Sequence, residues 1–337
     1  MDKIIRKRNV EVDIVKGLAI ILMVLGHAET PVHNFIYLFH MAVFFMSAGY
    51  FYKDAASENI QSVVEYTIKK LKGLWLPYAL WTAIFSLLRN FFINIHVYTN
   101  NPQVLETVDS KFAFVTEYWT WKDILINIIK GCILPGNVQM GGALWFLATL
   151  LQISVLYCIV DFVLKRFLDK KHILLAQFVV AVVFLGIGYF FHVKGVYLFG
   201  IESCFSCYIL FYIGLLLNRY SEKVYPEVLW KRITVLVLSF VVLCVLNHFG
   251  SVGLSGNNYN DPLFLIIASL AGWYMLYEMA SLLKSSAVVS KWMAYIGKNT
   301  LPIVVLHFLA FKLVSLIGVW INGDELYQIS AFPVLYL

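Results

Sequence analysis

Nine runs of mainly apolar residues, each close to the roughly 20 residues that cross a bilayer, are spaced along the chain with basic segments between them. They are Val12–Ala28, Phe35–Tyr52, Leu74–Ile95, Leu144–Leu164, Ile173–Phe191, Phe199–Leu217, Ile233–Phe249, Leu263–Leu283 and Leu301–Trp320. A tenth begins near Tyr327 and is cut off at Leu337, so a truncated last helix is expected. Lipid offers peptide groups no partner, so runs of this length fold as helices that pair their own N–H and C=O groups. Hydrophobic residues make up 61% of the chain, against about half in soluble domains. The expected fold is therefore all-α, a polytopic membrane bundle of about ten transmembrane helices forming one integral-membrane domain over 1–337.

The basic residues set the orientation. With the N-terminus in the cytoplasm, 20 of the 26 Lys and Arg fall on one side: in the N-terminal arm with Lys16, and in the segments 53–72, 165–171, 219–232 and 284–298. This is the positive-inside pattern, and it accounts for the net charge of +6 with no nucleic-acid partner. Lys3, Arg6, Lys7 and Arg8 resemble the basic region of a signal peptide, but no small-residue cleavage site follows, so the first run reads as a retained span. Four of the five cysteines lie in apolar runs, where Cys204-x-x-Cys207 fits apolar packing better than redox chemistry.

Between Lys16 and His27 the first run carries no charge. Eleven helical residues bring His27 to within roughly 20° of the Lys16 direction and about 16 Å further along. Asp13 shares that stripe, with Ile20 and Met23 between. An acid and a base at the inner end and an imidazole at the outer end thus face one way, as ionisable groups do towards a bundle interior or a wet cavity. The plainer reading puts Asp13 and Lys16 at the interface and His27 at the far end of the helix. Gly17 and Gly26 allow close helix approach beside the stripe.

Glu29–Leu38, with Pro31, is too short a linker for anything but antiparallel neighbours, so His27 and His40 both fall near the outer boundary. His40 and Ser47 are seven apart and share a helix face. His33 lies between the two histidines and raises zinc as a possibility, but no fixed ligand spacing supports it and no metal is expected. Residues 96–143 form a long outer loop whose aromatics include Tyr98, Phe112, Trp119 and Trp121. Within it Trp121–Ile133 has the spacing of an interfacial helix. Pro135-Gly136 and Gly141-Gly142 follow, leading into Trp145-Phe146. Lys69, Lys70 and Lys72 precede the third span, either as a topology signal or as a grip for phosphates. Arg89 can snorkel, and His307 falls near mid-membrane as a bundle hydrogen-bonder or a neighbour of the chemistry.

Val12–His27 (VDIVKGLAIILMVLGH), Phe39–Tyr50 (FHMAVFFMSAGY), Leu144–Leu147 (LWFL) and Ile296–His307 (IGKNTLPIVVLH) together resemble the membrane acyltransferase 3 family, particularly its fucose 4-O-acetylase-like sugar O-acetyltransferases. The resemblance implies about ten helices, acetyl-CoA as donor, and a polysaccharide or its lipid-linked precursor as acceptor, at the bacterial inner membrane. Its basic-residue-x10-histidine signature falls on Lys16 and His27. Where the family favours Arg-x-x-Arg, this chain has Lys69-x-x-Lys72, which lacks the bidentate fork. The expected roles are His27 as general base with His40 and Asp13 in support; Lys16, Lys69 and Lys72 on the donor; and Ser47, Trp145 and His307 lining the channel or the acceptor site. The donor's arm would pass along the stripe by Ile20 and Met23. A transporter or flippase of lipid-linked sugars is the rival reading, with a non-catalytic sensor or scaffold third.

Overall fold

The computed structural model describes residues 9–107, 114–133, 138–198 and 200–334. Phe112, Pro135-Gly136, the basic arm before Asn9 and the last three residues lie outside the described residues. Among these residues sixteen α-helices follow one another: α1 Val10–His27, α2 His33–Tyr37, α3 His40–Tyr50, α4 Ile60–Lys70, α5 Leu76–Leu87, α6 Arg89–Asn94, α7 Val104–Thr107 and α8 Trp121–Ile133. They continue with α9 Trp145–Phe167, α10 Lys170–Lys194, α11 Ile201–Arg219, α12 Ser221–Val224, α13 Leu229–Phe249, α14 Pro262–Leu283, α15 Ala287–Lys298 and α16 Thr300–Asn322. The only strands among the described residues are the two-residue pair β1 Val252–Gly253 and β2 Asn258–Tyr259.

Among the described residues six helices are long and apolar enough to cross a membrane: α9 with the 3₁₀ turn before it, α10, α11, α13, α14 and α16. The protein is a multi-pass membrane protein. The first three expected spans are not among these six, although the first forms one continuous helix near its expected limits. α1 carries Glu11, Asp13 and Lys16 in its first half. The second span is divided into α2 and α3 by a turn at Leu38-Phe39, where Phe39 packs into the space left by Gly272 of α14. The third is divided at Leu88, and a π-helical turn, Leu71–Trp75, joins α4 to α5. Near Tyr327, where a tenth span was expected, the chain forms a 3₁₀ turn at Leu326–Ser330 and leaves helical geometry.

The chain divides into two compact units, one of residues 1–66 with 152–300 and one of 67–151 with 301–337. In the first, α1 and α3 form an antiparallel hairpin tied at one end by a 2.8 Å hydrogen bond from Asn9 to the Tyr50 hydroxyl. Lipid gives helices little hydrophobic reason to associate, so close backbone contact at small residues does that work. A Cβ on Gly17 would run into the Met293 carbonyl of α15, and one on Gly297 into the Asp13 carbonyl of α1. α3 and α11 meet in the same reciprocal way, Gly49 on Phe211 and Gly214 on Met46. The outer faces of α10 and α13 are apolar and exposed, as lipid-facing helices require.

In the second unit α8 lies against α5, with the Trp75 indole donating to the Cys132 carbonyl at 3.1 Å and the Tyr78 hydroxyl to that of Gly131. α8 has the limits the sequence suggested. Thr120 and Asp123 cap its start reciprocally, and the hydrogen bonds from Thr120 hold the Asp123 carboxyl below its ordinary pKa. Ile124 and Gly131 face inward, while Leu125, Ile129 and Ile133 are exposed. Arg89 does not simply snorkel. Its guanidinium lies 3.8 Å from the Trp119 ring and donates to the Glu117 carbonyl, so it holds the segment that leads into α8.

Candidate active site

α1 ends at His27, and the turn that follows returns the chain through α2 directly onto it. The Tyr37 hydroxyl lies 3.1 Å from His27 Nδ1. The Tyr37 ring also meets His40 edge-on at a centroid distance of 5.0 Å and His33 at 6.2 Å. One tyrosine therefore touches all three histidines that the sequence brings to this boundary. Gly26 makes room for it: a Cβ there would lie 3.1 Å from the Tyr37 ring. His27 is half-buried, and His40 is buried with its Nδ1 donating to the Ile36 carbonyl at 2.9 Å. That bond leaves His40 Nε2 as the acceptor of the neutral ring. Among the described residues no three His, Cys, Asp or Glu side chains are placed to hold a metal.

At the other end of α1 Lys16 pairs with Asp13 at 3.1 Å and lies 5.7 Å from the centre of the Phe51 ring. Asp13 is buried, and its carboxylate is matched by the lysine three residues on. Ile20 and Met23, between the two ends, are buried. Ser47 of α3 is also buried, and its hydroxyl has no hydrogen-bond partner among the described residues. A buried hydroxyl without a partner is uncommon and marks a place where another group fits.

In the second unit His307 is buried on α16, with Nδ1 donating to the Ile303 and Val304 carbonyls at 3.1 and 3.0 Å. Its ring lies against Phe308, whose edge approaches Gly142 in the 3₁₀ turn that delivers Trp145 to the start of α9. Trp145 is half-buried. Lys69 and Lys72 are both exposed, one at the end of α4 and one in the π-turn.

A family model described as an acyltransferase domain, acyltransferase 3, matches residues 9–319. The chain belongs to the acyltransferase 3 family. No curated protein and no solved structure matches it. Membership makes this acyltransferase an enzyme of membrane acyl transfer, and the match takes in Lys16, His27, His40, Trp145 and His307.

Two features of the acyltransferase escaped the sequence reading. Tyr37 is the first. The second is a polar network under a cavity of about 520 Å³ in the first unit. There Asp161 of α9 accepts hydrogen bonds from Ser57, from Tyr52 at 3.2 Å and from Gln177 at 3.2 Å, and pairs with Lys165 at 2.7 Å. Tyr208 extends the chain to Gln177 at 2.9 Å, so α9, α10, α11 and the segment after α3 are joined by satisfied groups. The Asp161/Lys165 spacing was the one signal available in the sequence.

Proposed function

We propose that the protein transfers the acetyl group of cytoplasmic acetyl-CoA to a hydroxyl of a cell-surface carbohydrate or its lipid-linked precursor, at the bacterial inner membrane. The observation that carries this reading is the His27–Tyr37–His40 cluster. Transfer from a thioester to an alcohol needs a base at the attacking hydroxyl, and imidazole suits that near neutral pH. When His27 Nδ1–H donates to the Tyr37 oxygen, Nε2 carries the basic lone pair of the neutral ring, and the bond fixes its direction. Nε2 takes the hydroxyl proton as the oxygen bonds to the acetyl carbon; the C–S bond then breaks and the thiolate of CoA leaves, to be protonated from the imidazolium. His40 offers a second Nε2 beside the same tyrosine and supports the developing charge or the acceptor's position.

Asp13 fixes Lys16 at the inner end of the stripe, where the donor arrives, and Lys69 and Lys72 present exposed charge suited to its phosphates. Ser47, through its unpartnered hydroxyl, is a lining residue for the acyl path, and we assign Trp145 and His307 to the lining on the acceptor side. Ten helices with the N-terminus inside are the topology this reading needs. The experiment is chemical analysis of the polysaccharide from cells lacking the protein. Loss of O-acetyl esters with the polymer still exported supports the reading, and loss of the polymer itself favours a transporter.

A further inference from the structure

At the end of the α1–α3 hairpin opposite His27, the first unit holds a second, smaller cavity of about 250 Å³. Glu278 of α14 lines it. The side chain is 1% exposed, and neither carboxylate oxygen has a hydrogen-bond partner. A buried carboxylate left this way is costly, and folded proteins pair such groups. Arg232 lies in the same wall but is held by the Pro226 carbonyl at 2.8 Å and the Ser281 hydroxyl at 2.7 Å. Three further acids line the cavity: Glu11, which is paired with Lys284, and Glu222 and Glu227, both exposed. Tyr50, Tyr225 and Tyr277 add aromatic faces beside the polar Asn9, Ser221 and Ser281. Tyr225 and Tyr277 stack with centroids 3.7 Å apart, and the Tyr225 hydroxyl accepts from the Trp273 indole at 2.9 Å.

Acid at the mouth, tyrosine faces on the wall and an unpaired carboxylate at the base describe a receptor for a cation. Among the described residues no trio of ligands is placed for a metal ion, and the stacked tyrosine faces suit an organic cation. The two Glu278 oxygens need N–H donors, which a primary ammonium has and a quaternary one lacks. We infer that this cavity binds a primary ammonium group, either a free small amine or the ethanolamine of a phospholipid headgroup. It shares no residue with the His27–Tyr37–His40 cluster, and the inference is independent of the acyl-transfer reading.

The test uses the full-length protein in nanodiscs of phosphatidylglycerol with either phosphatidylethanolamine or phosphatidylcholine. Ethanolamine and tetramethylammonium are titrated by calorimetry through the millimolar range, and retained lipid is read by native mass spectrometry. In the phosphatidylcholine discs ethanolamine should bind and tetramethylammonium should not. Glu278→Gln keeps the side chain's shape and should weaken ethanolamine about thirtyfold or more. If the headgroup is the occupant, phosphatidylethanolamine is retained by the parent protein, lost from Glu278→Gln, and blocks ethanolamine. If a free amine is, no phosphatidylethanolamine is retained and ethanolamine binds equally in both discs. Should Glu278→Gln not fold, Glu222→Gln with Glu227→Gln at the exposed mouth should weaken ethanolamine roughly threefold or more and flatten its salt dependence. Failure of ethanolamine to bind in the phosphatidylcholine discs, or binding that none of these variants changes, overturns the inference.

Discussion

Replacing Tyr37 with Phe removes one hydroxyl from the cluster around His27 and keeps its ring. The edge contacts with His27, His33 and His40, at centroid distances of 5.9, 6.2 and 5.0 Å, do not depend on that oxygen. What disappears is the 3.1 Å hydrogen bond to His27 Nδ1. A neutral hydrogen bond contributes about 0.5–1.5 kcal/mol net, and about 1.4 kcal/mol is a factor of ten in rate, so turnover should fall roughly two- to tenfold. Loss of the base itself should cost roughly 10²–10⁴-fold. Tyr37→Phe thus separates holding the imidazole from being the imidazole. The assay is the initial rate of radiolabel transfer from acetyl-CoA in membrane vesicles that carry the native acceptor. A fall in kcat within the smaller range, with KM for acetyl-CoA unchanged, is expected. Parent-level turnover in Tyr37→Phe, or a raised KM at unchanged turnover, would refute the orienting role.

Gly297→Ala puts a methyl against the Asp13 carbonyl and should separate α15 from α1, costing about 1–3 kcal/mol and lowering the thermal transition of the purified protein; an unchanged transition would mean that the contact carries no stability. Neutralising Lys69 and Lys72 together to Gln should weaken CoA binding and flatten its salt dependence, since both are exposed charges; unchanged affinity in a folded protein would reduce them to topology signals. Cysteines placed at the exposed positions Asn100 and Ser251 should react with an impermeant reagent from outside, and those at Glu58 and Glu222 only after permeabilisation; the reverse pattern would end the N-inside topology.

Hydropathy marked the long helices α9, α10, α11, α13, α14 and α16, because a run of lipid-compatible length allows little other than helix. It also gave the limits of α8, whose capping residues and amphipathic spacing are local. The interruptions were not legible. The turn between α2 and α3 forms where Phe39 meets Gly272, more than two hundred residues away in sequence. Tyr37 was one of 20 tyrosines with nothing local to distinguish it. α15 read as a basic loop because Lys291 and Lys298 were counted with Lys284 as a topology signal, although its spacing is amphipathic like that of α8; it buries Ala294 and Gly297. Asp13 and Lys16 were legible as a charged pair on one face, and the structure joins them to each other. Apart from Lys165 on its own helix, the partners of Asp161 come from two separate stretches of chain, Tyr52 with Ser57 and Gln177, so no single motif carries them.

The central claim is that His27 takes the proton in an acetyl transfer. Its most direct measurement is the transfer of radiolabel from acetyl-CoA to the extracted acceptor by the purified protein in nanodiscs, for the parent and for His27→Ala. The account predicts alkali-labile, ester-linked label on the acceptor with the parent protein. With His27→Ala the rate should fall roughly a hundredfold or more, while the thermal transition is kept. Transfer by His27→Ala at near the parent rate would contradict it.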